Sequence, residues 1–97
     1  MAREKDKPLP SQTETSPPLS FSNFLTSLGY QGLIQLGELP HPETKERSLD
    51  LEAAKETIDL LTLLETKTQG NRTPEEEKIL KSLLPELQMK FVEKASQ

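Results

Sequence analysis

The sequence predicts an all-α fold of three helices, in which an amphipathic first helix precedes an antiparallel helical hairpin. Apolar side chains recur in three segments at the spacing that places them on one face of a helix. Within residues 66–77, Gly70 suits the end of one helix and Thr73 suits the cap of the next. A connection this short favours antiparallel neighbours, so the last two helices are expected to pack as a hairpin.

The beginning of the chain differs in composition from the rest. Residues 1–18 combine charged side chains with Pro, Ser and Thr, and Leu9 is their only larger apolar residue after Met1. Such a segment buries too little apolar area to offset the entropy lost on ordering. We therefore expect a disordered tail over residues 1–18 and a single helical domain over residues 19–97.

Composition and charge argue against several functional classes. The net charge of −4 argues against a nucleic-acid partner, because an acidic domain does not attract a phosphate backbone. The chain has no cysteine, so neither a disulfide nor a thiolate metal site is available. No apolar run reaches the roughly 18 residues that a membrane-spanning helix needs, and the charged start does not resemble a secretory signal. We expect a cytoplasmic protein.

The first helix is predicted at about residues 21–36. Ser20 is the expected N-cap, and Leu19 and Phe24 stand at the two positions of a hydrophobic staple. Gly37 is the expected breaker at the other end. One face of this helix carries Phe21, Phe24, Leu25, Leu28, Gly32 and Leu36. The other side carries Tyr30, Leu33 and Ile34.

Two glycines inside the first helix imply either a kinked helix or a close approach of another helix. Gly29 and Gly32 each lower helix propensity by roughly 1 kcal/mol relative to Ala. On the main apolar face, Ser27 beside Gly32 is expected to let another helix come close. A helix that is apolar on both sides also needs partners on both sides.

A loop over residues 38–49 leads to the second helix, which is predicted at about residues 50–69. Asp50 is its expected N-cap. Its buried face is predicted to contain Leu51, Ala54, Ile58, Leu61 and Leu64, widened by Ala53, Thr57 and Leu60. Leu63 lies among polar residues and is expected to be exposed or in an interface. Lys55 and Asp59 form an attractive i,i+4 pair.

The third helix is predicted at about residues 74–95. Thr73 and Glu76 have the spacing of a capping box, and Pro74 suits the first turn. Pro85 removes one backbone hydrogen bond, so a kink in a single continuous helix is expected there. The core stripe is predicted to be Ile79, Leu80, Leu83, Leu84, Leu87 and Phe91, and the outer face to carry Met89 and Val92.

Several strings of residues resemble a short bacterial family, domain of unknown function 1844. They are Phe21-Ser-Asn-Phe-Leu, Leu36-Gly37-Glu38, Pro42-Glu43-Thr44, residues 54–61, Lys67-Thr68-Gln69-Gly70-Asn71 and Glu76-Glu77-Lys78-x-Leu80. The resemblance covers residues 21–93, and Pro85 departs from it by standing where a helix-compatible residue is expected. It implies an all-α fold in a bacterial cell and carries no known activity, so it transfers no functional residue.

The chemistry-bearing residues predict no catalytic, cofactor-binding or metal-binding site. His41 lies near Glu38 and Glu43 in a proline-flanked loop, but the spacing matches no helix-based ligand pattern, and an exposed loop histidine is expected. With one histidine in the chain, no nucleophile–base pair can be named, so we do not expect an enzyme. The residues from Lys67 to Asn71 are expected to cap a helix, with a recognition corner as the functional alternative.

The apolar surplus of the first helix predicts an interaction module. The expected partner is a second copy of the chain, in a symmetric dimer, or another helical protein. The expected contact residues are Phe21, Phe24, Leu28, Tyr30, Leu33 and Ile34. Binding of this helix to a membrane surface is the alternative, disfavoured because its polar side carries neither Lys nor Arg.

Overall fold

The computed structural model describes residues 19–97 and contains three helices over that range. They are α1 at Phe21–Gln35, α2 at Leu51–Lys67 and α3 at Pro74–Ala95. Each helix packs against both others, and none of the described residues forms a strand. The predicted all-α fold is confirmed. The predicted tail over residues 1–18 lies outside the described residues.

The three helices begin at the predicted caps. The side chain of Ser20 accepts a hydrogen bond from the N–H of Asn23, and Asp50 accepts one from that of Ala53. Thr73 and Glu76 form both hydrogen bonds of a capping box. These bonds satisfy N–H groups that the first turn of a helix leaves without a backbone partner. The N-cap predictions are therefore confirmed.

Glycines with positive φ follow the first two helices. Gly37 has φ of 78° and donates its N–H to Ile34, while Glu38 donates to Leu33, which together make a Schellman motif. Gly70 has φ of 76° in the turn after α2. The second helix ends at Lys67, two residues before the predicted Gln69, because Thr68 already serves as its C-cap.

The core lies where the three apolar faces meet. Its fully shielded large side chains are Leu25, Leu36, Leu61, Leu80 and Leu87. Partly buried side chains that pack against this core are Phe21, Leu33, Leu51, Leu64, Ile79, Leu83 and Phe91. Burying such side chains is the main stabilising contribution to a helical domain of this size.

Gly29 and Gly32 of α1 let α3 approach closely. Ser27, which was predicted to share this contact with Gly32, does not take part in it. A Cβ on Gly29 would lie 2.4 Å from Leu83, and one on Gly32 would lie 3.2 Å from Leu87. The prediction that Ser27 lines this approach is wrong, because Ser27 is exposed and donates its hydroxyl to the carbonyl of Asn23. Gly29 takes that position in the contact.

Contacts along α1 define how the helices run. Gly29 lies against Leu83 and Gly32 against Leu87, so α1 and α3 run in the same direction. Near the end of α1, the carbonyl of Gln35 accepts the N–H of Asp50, the N-cap of α2. The next helix therefore starts where α1 ends, and these contacts are compatible with the predicted antiparallel hairpin of α2 and α3.

Some predicted positions are wrong at the edges of the faces. The hydrophobic staple does not form, because the side chain of Leu19 is 99% exposed. Leu60 is exposed instead of widening the buried face of α2, and Phe24 is exposed although it shares a face of α1 with the buried Leu25 and Leu28. Leu33 packs against the core instead of lying outside it.

α3 is a single continuous helix that passes through Pro85, as predicted. Pro85 is exposed, as are Met89 and Val92 on the same outer side. The bend at Pro85 stays a prediction. On α2, Leu63 is exposed and Lys55 pairs with Asp59 at 2.8 Å, both as predicted.

Candidate interaction surface

The outer side of α1, which faces away from α2 and α3, carries Ser27, Tyr30 and Ile34. These residues follow one another at helical spacing opposite the buried Gly32. The loop after α1 folds back toward them. Together the helix and the loop form an open groove of about 450 Å³, lined by Ser27, Tyr30, Gln31, Ile34, Gln35, His41 and Pro42. We call it the α1 groove.

Backbone hydrogen bonds hold the loop that forms the second wall of the α1 groove. The N–H of His41 donates to the carbonyl of Glu46 at 2.9 Å, and the N–H of Lys45 donates to the carbonyl of His41 at 2.8 Å. Lys45 adopts a left-handed conformation with φ of 64°, which closes this turn. The wall is therefore a hydrogen-bonded turn and not an extended segment.

The imidazole of His41 takes part in the same turn. Its Nδ1 accepts a hydrogen bond from the backbone N–H of Glu43 at 3.1 Å. A ring nitrogen that accepts a hydrogen bond carries no hydrogen of its own, so this contact fits the tautomer with its hydrogen on Nε2. His41 is exposed, and no ion pair within residues 19–97 includes it.

The two glutamines of the α1 groove are fixed by a buried threonine of α2. Thr57 is 3% exposed and is the only buried polar side chain among residues 19–97. Its hydroxyl donates to Oε1 of Gln35 at 2.6 Å and accepts from Nε2 of Gln31 at 3.2 Å. The network satisfies the buried hydroxyl and orients both amides.

The surface around the groove carries no fixed charge on the helix side. From Thr15 to Gly37 the sequence contains no Asp, Glu, Lys or Arg, although 29% of the whole chain is charged. The groove lining likewise has no carboxylate, ammonium or guanidinium group. Its titratable side chains are Tyr30 and His41. The charges of the described residues all lie after Gly37, on the loop, α2, the α2–α3 turn and α3.

The structure separates the six predicted contact residues into two groups. Leu28 is 7% exposed and belongs to the core, and Phe21 and Leu33 are partly buried against that core. Tyr30 and Phe24 are 51% and 43% exposed, and Ile34 is half-buried in the α1 groove. Tyr30 and Phe24 are thus the most exposed of the six, and Tyr30 and Ile34 are the two that line the groove.

Four residues of the groove, His41, Pro42, Gln31 and Gln35, were not predicted to line a common site. His41 and Pro42 reach it only because the loop folds back on α1, and no local pattern signals that fold. Gln31 and Gln35 are four residues apart and so share a face of α1, which is a signal of a common contact.

A second apolar strip lies on the outer side of α3 and differs in charge. Met89 and Val92 are each 62% exposed, and Pro85, one turn before Met89, is exposed as well. Glu86 and Glu93 are exposed beside this strip. The α3 strip is thus an apolar surface flanked by charged side chains, whereas the α1 groove is an apolar surface with no charged side chain in its lining.

Residues 19–97 hold no cluster of three or more His, Asp or Glu side chains placed to bind a metal ion. None of the helices in that range combines the length and the apolar character needed to cross a membrane.

Comparison with known proteins gives one match. A family model described as a domain of unknown function, DUF1844, matches residues 18–93. The matched range contains α1, α2 and α3 up to Glu93. No curated protein and no solved structure matches the chain.

Proposed function

The chain belongs to the DUF1844 family, which has no assigned activity, and we propose that it is an interaction module that self-associates through the outer side of α1. The contact is the α1 groove together with the exposed ring of Tyr30. The occupant is a second copy of the chain, arranged about a two-fold axis. This is a binding function, since the groove offers one imidazole and no carboxylate to act with it.

The absence of charge on α1 is the observation that supports a second copy as the partner. A two-fold axis places a surface against itself, so any charged residue near the axis faces its own like charge. Like charges brought together in an interface cost several kcal/mol. The molecule has a net charge of −4, yet the helix from Phe21 to Gln35 carries none of it. α1 is the one helix of residues 19–97 that meets this condition over its whole length.

The exposed side chains of α1 also suit a protein contact. Tyr30 offers a large ring with a hydroxyl, a combination enriched at interfaces. Gln31 and Gln35 are held in place by Thr57, so their remaining donors and acceptors are oriented before binding. A surface that is already ordered loses less entropy when a partner binds.

Membrane-surface binding is the alternative use of α1. An interfacial helix normally combines an apolar face with Lys and Arg, which attract anionic lipid headgroups. α1 has neither residue, and its polar side chains are uncharged. Self-association therefore fits this helix better than attraction to a lipid surface.

A matched pair of lysine variants tests the proposal. Tyr30→Lys places a charge on α1, and Met89→Lys places the same charge at a comparably exposed apolar site on α3. We expect the parent to be a dimer by sedimentation equilibrium. Tyr30→Lys should raise its dissociation constant by about 100-fold, because two lysines meet across the axis. Met89→Lys should leave it unchanged.

Circular dichroism establishes that both variants keep the helical content of the parent. A parent that is monomeric at several hundred micromolar (a concentration of order 10⁻⁴ M) contradicts self-association. So does a Tyr30→Lys variant that dimerises as tightly as the parent. Flotation of a monomeric parent with phosphatidylserine vesicles would instead support the membrane alternative.

A further inference from the structure

His41 is the only side chain lining the α1 groove that can gain a charge near neutral pH. Histidine side chains ordinarily change charge between about pH 5 and 8, whereas the phenol of a tyrosine loses its proton near pH 10. The rest of the lining is apolar or carries amides and a hydroxyl. The state of this one ring therefore decides whether the groove is neutral or cationic.

We infer that His41 makes the self-association of the chain dependent on pH, so that the dimer forms with a neutral imidazole and dissociates when the ring is protonated. This inference rests on the proposed function. It names the group that regulates the dimer contact and the direction in which dimerisation responds to pH.

Hydrogen bonding in the loop gives the first reason. Nδ1 of His41 accepts the N–H of Glu43 at 3.1 Å. A protonated ring has hydrogens on both nitrogens, so a second N–H would point at the N–H of Glu43. The two donors repel, and the turn that forms one wall of the groove must change. The neutral ring is therefore the form that fits the wall as the structure shows it.

Desolvation gives the second reason. In the free chain His41 is exposed, so water solvates an imidazolium there. In the dimer the groove is covered by a second copy that has no acid on α1 to pair with the new charge. A charge buried without a partner is unfavourable, and the symmetry axis brings two such charges into one contact.

The charged groups around His41 act in both directions. From α1, Tyr30 is the only titratable side chain facing the groove. Glu43, Lys45 and Glu46 belong to the loop of His41 itself, and all three are exposed to solvent. Glu38 lies earlier in that loop, and its carboxylate faces α3, with its oxygens 3.9 and 3.5 Å from the ammonium groups of Lys90 and Lys94. No acid within residues 19–97 forms an ion pair with His41 that would offset the loss of solvation.

Linkage fixes the sign of the effect. The free chain binds the proton more readily than the dimer, so the dimer contains fewer protons than two separate chains. Lowering the pH through the histidine range must then favour the separate chains. The overall charge predicts the opposite, because a chain with a pI near 5.0 loses net negative charge on acidification and repels its copy less. The direction of the change therefore distinguishes His41 from general repulsion.

Sedimentation equilibrium of the full chain at pH 7.5 and 5.5 tests the inference with two variants of one residue. The parent dissociation constant should rise by about tenfold or more at pH 5.5, since two rings take up protons on dissociation. His41→Asn cannot be charged, and its amide oxygen stands at the position of Nδ1, where it can still accept the N–H of Glu43. Its dissociation constant should change by less than about threefold. His41→Lys, charged at both values, should be mostly monomeric at both.

Each outcome bears on one of the two proposals. A parent that dimerises equally at both pH values, or a His41→Asn variant that keeps the pH response of the parent, overturns the role of His41 and leaves self-association standing. A parent that is monomeric at both pH values overturns both. Circular dichroism at each pH establishes that the three proteins remain helical, so a change in mass reports on the contact and not on unfolding.

Discussion

The contact between α1 and α3 and the turn between α2 and α3 position the same helix by different means. In the first, Gly29 and Gly32 present no side chain, and Leu83 and Leu87 fill the space that a Cβ would occupy. In the second, Arg72 donates to the carbonyl of Glu65 at 2.8 Å and to the carboxylate of Glu77 at 2.7 Å. The α1–α3 contact depends on two glycines that have no side chain, and the α2–α3 turn depends on the charged side chain of Arg72.

The difference teaches which physical variable each region responds to. A close-packed neutral contact is sensitive to the volume of a side chain, because an interior has few voids to accommodate extra atoms. A charged contact near the surface is sensitive to pH and salt, because protonation and screening weaken it. The neutrality of α1 extends from its packed side to its exposed side, which is why the proposed dimer contact belongs to α1 and not to α3.

Removing the side chain that fills the glycine contact has the largest expected effect. Leu87 is fully buried, and its methyl groups lie against Gly32. Leu87→Ala leaves a cavity beside a residue that has no side chain to fill it, so we expect a loss of about 2–5 kcal/mol in the free energy of unfolding. Urea denaturation measures it. Leu63→Ala, at a site that is 52% exposed, is the matched control.

A loss for Leu87→Ala as small as that for Leu63→Ala would show that the α1–α3 contact is loosely packed. Exposed sites normally change stability by less than about 0.5 kcal/mol on substitution. The α1–α3 contact would then not be sensitive to side-chain volume, and it would not differ in that respect from the α2–α3 turn.

A double-mutant cycle sharpens the same contact with a smaller effect. Gly29→Ala raises helix propensity by about 1 kcal/mol, but its Cβ would lie 2.4 Å from Leu83. Overpacking of this kind costs typically about 1–3 kcal/mol, so we expect a net loss of about 1 kcal/mol. In a Leu83→Ala background the clash is gone, and Gly29→Ala should become stabilising by up to about 1 kcal/mol. Thermal and urea denaturation of the four proteins measure the coupling.

The change of sign is the decisive observation in this cycle. If Gly29→Ala stabilises the chain while Leu83 is present, then Leu83, which is only partly buried, moves aside without loss. The glycine would then be unnecessary for the approach of α3. Gly70→Ala is the control for backbone effects alone, because nothing lies within 4 Å of a Cβ at Gly70 but its φ is positive.

Features that depend on neighbours in sequence could be predicted from the sequence. Ser20, Asp50 and Thr73 cap their helices as expected, and Gly37 and Gly70 take the positive φ that follows a helix end. Each of these signals acts within four residues, so one sequence is enough to identify it. The apolar spacing identified the core for the same reason.

Features that depend on contacts distant in sequence could not be predicted in full. For Gly29 the sequence left two interpretations open, a kink or the close approach of another helix, and only the position of Leu83 against it decides for the second. Leu28 and Ile34 both looked available to a partner, but packing buries the first and leaves the second in the groove. His41 joins the candidate site through a fold of the loop that no short pattern encodes.

The charged contact gives an expected effect no larger than that of Gly29→Ala, with the opposite dependence on conditions. Arg72 is 10% exposed in its side chain and reaches across the α2–α3 turn to Glu65 and Glu77. Its hydrogen bonds, and then those of Lys81, lower the pKa of Glu77 below its ordinary value of 4.5. Arg72→Met removes the hydrogen bond to the Glu65 carbonyl, and a loss of about 1 kcal/mol is expected from that bond at pH 7.

The pH dependence follows from the direction of the shift. A carboxyl whose pKa is lowered by folding stabilises the fold above its ordinary value, and that contribution is lost as the pH falls below about 4.5 toward the lowered pKa. The difference in stability between Arg72→Met and the parent should therefore shrink between pH 6 and pH 3.5, and Glu77→Gln should behave alike. The difference between Gly29→Ala and the parent should not change over that range, because no charge is involved. Urea denaturation at the two pH values measures both differences. A difference for Arg72→Met that stays constant with pH would mean that Arg72 acts through the Glu65 carbonyl alone and that the turn, like the glycine contact, is indifferent to charge.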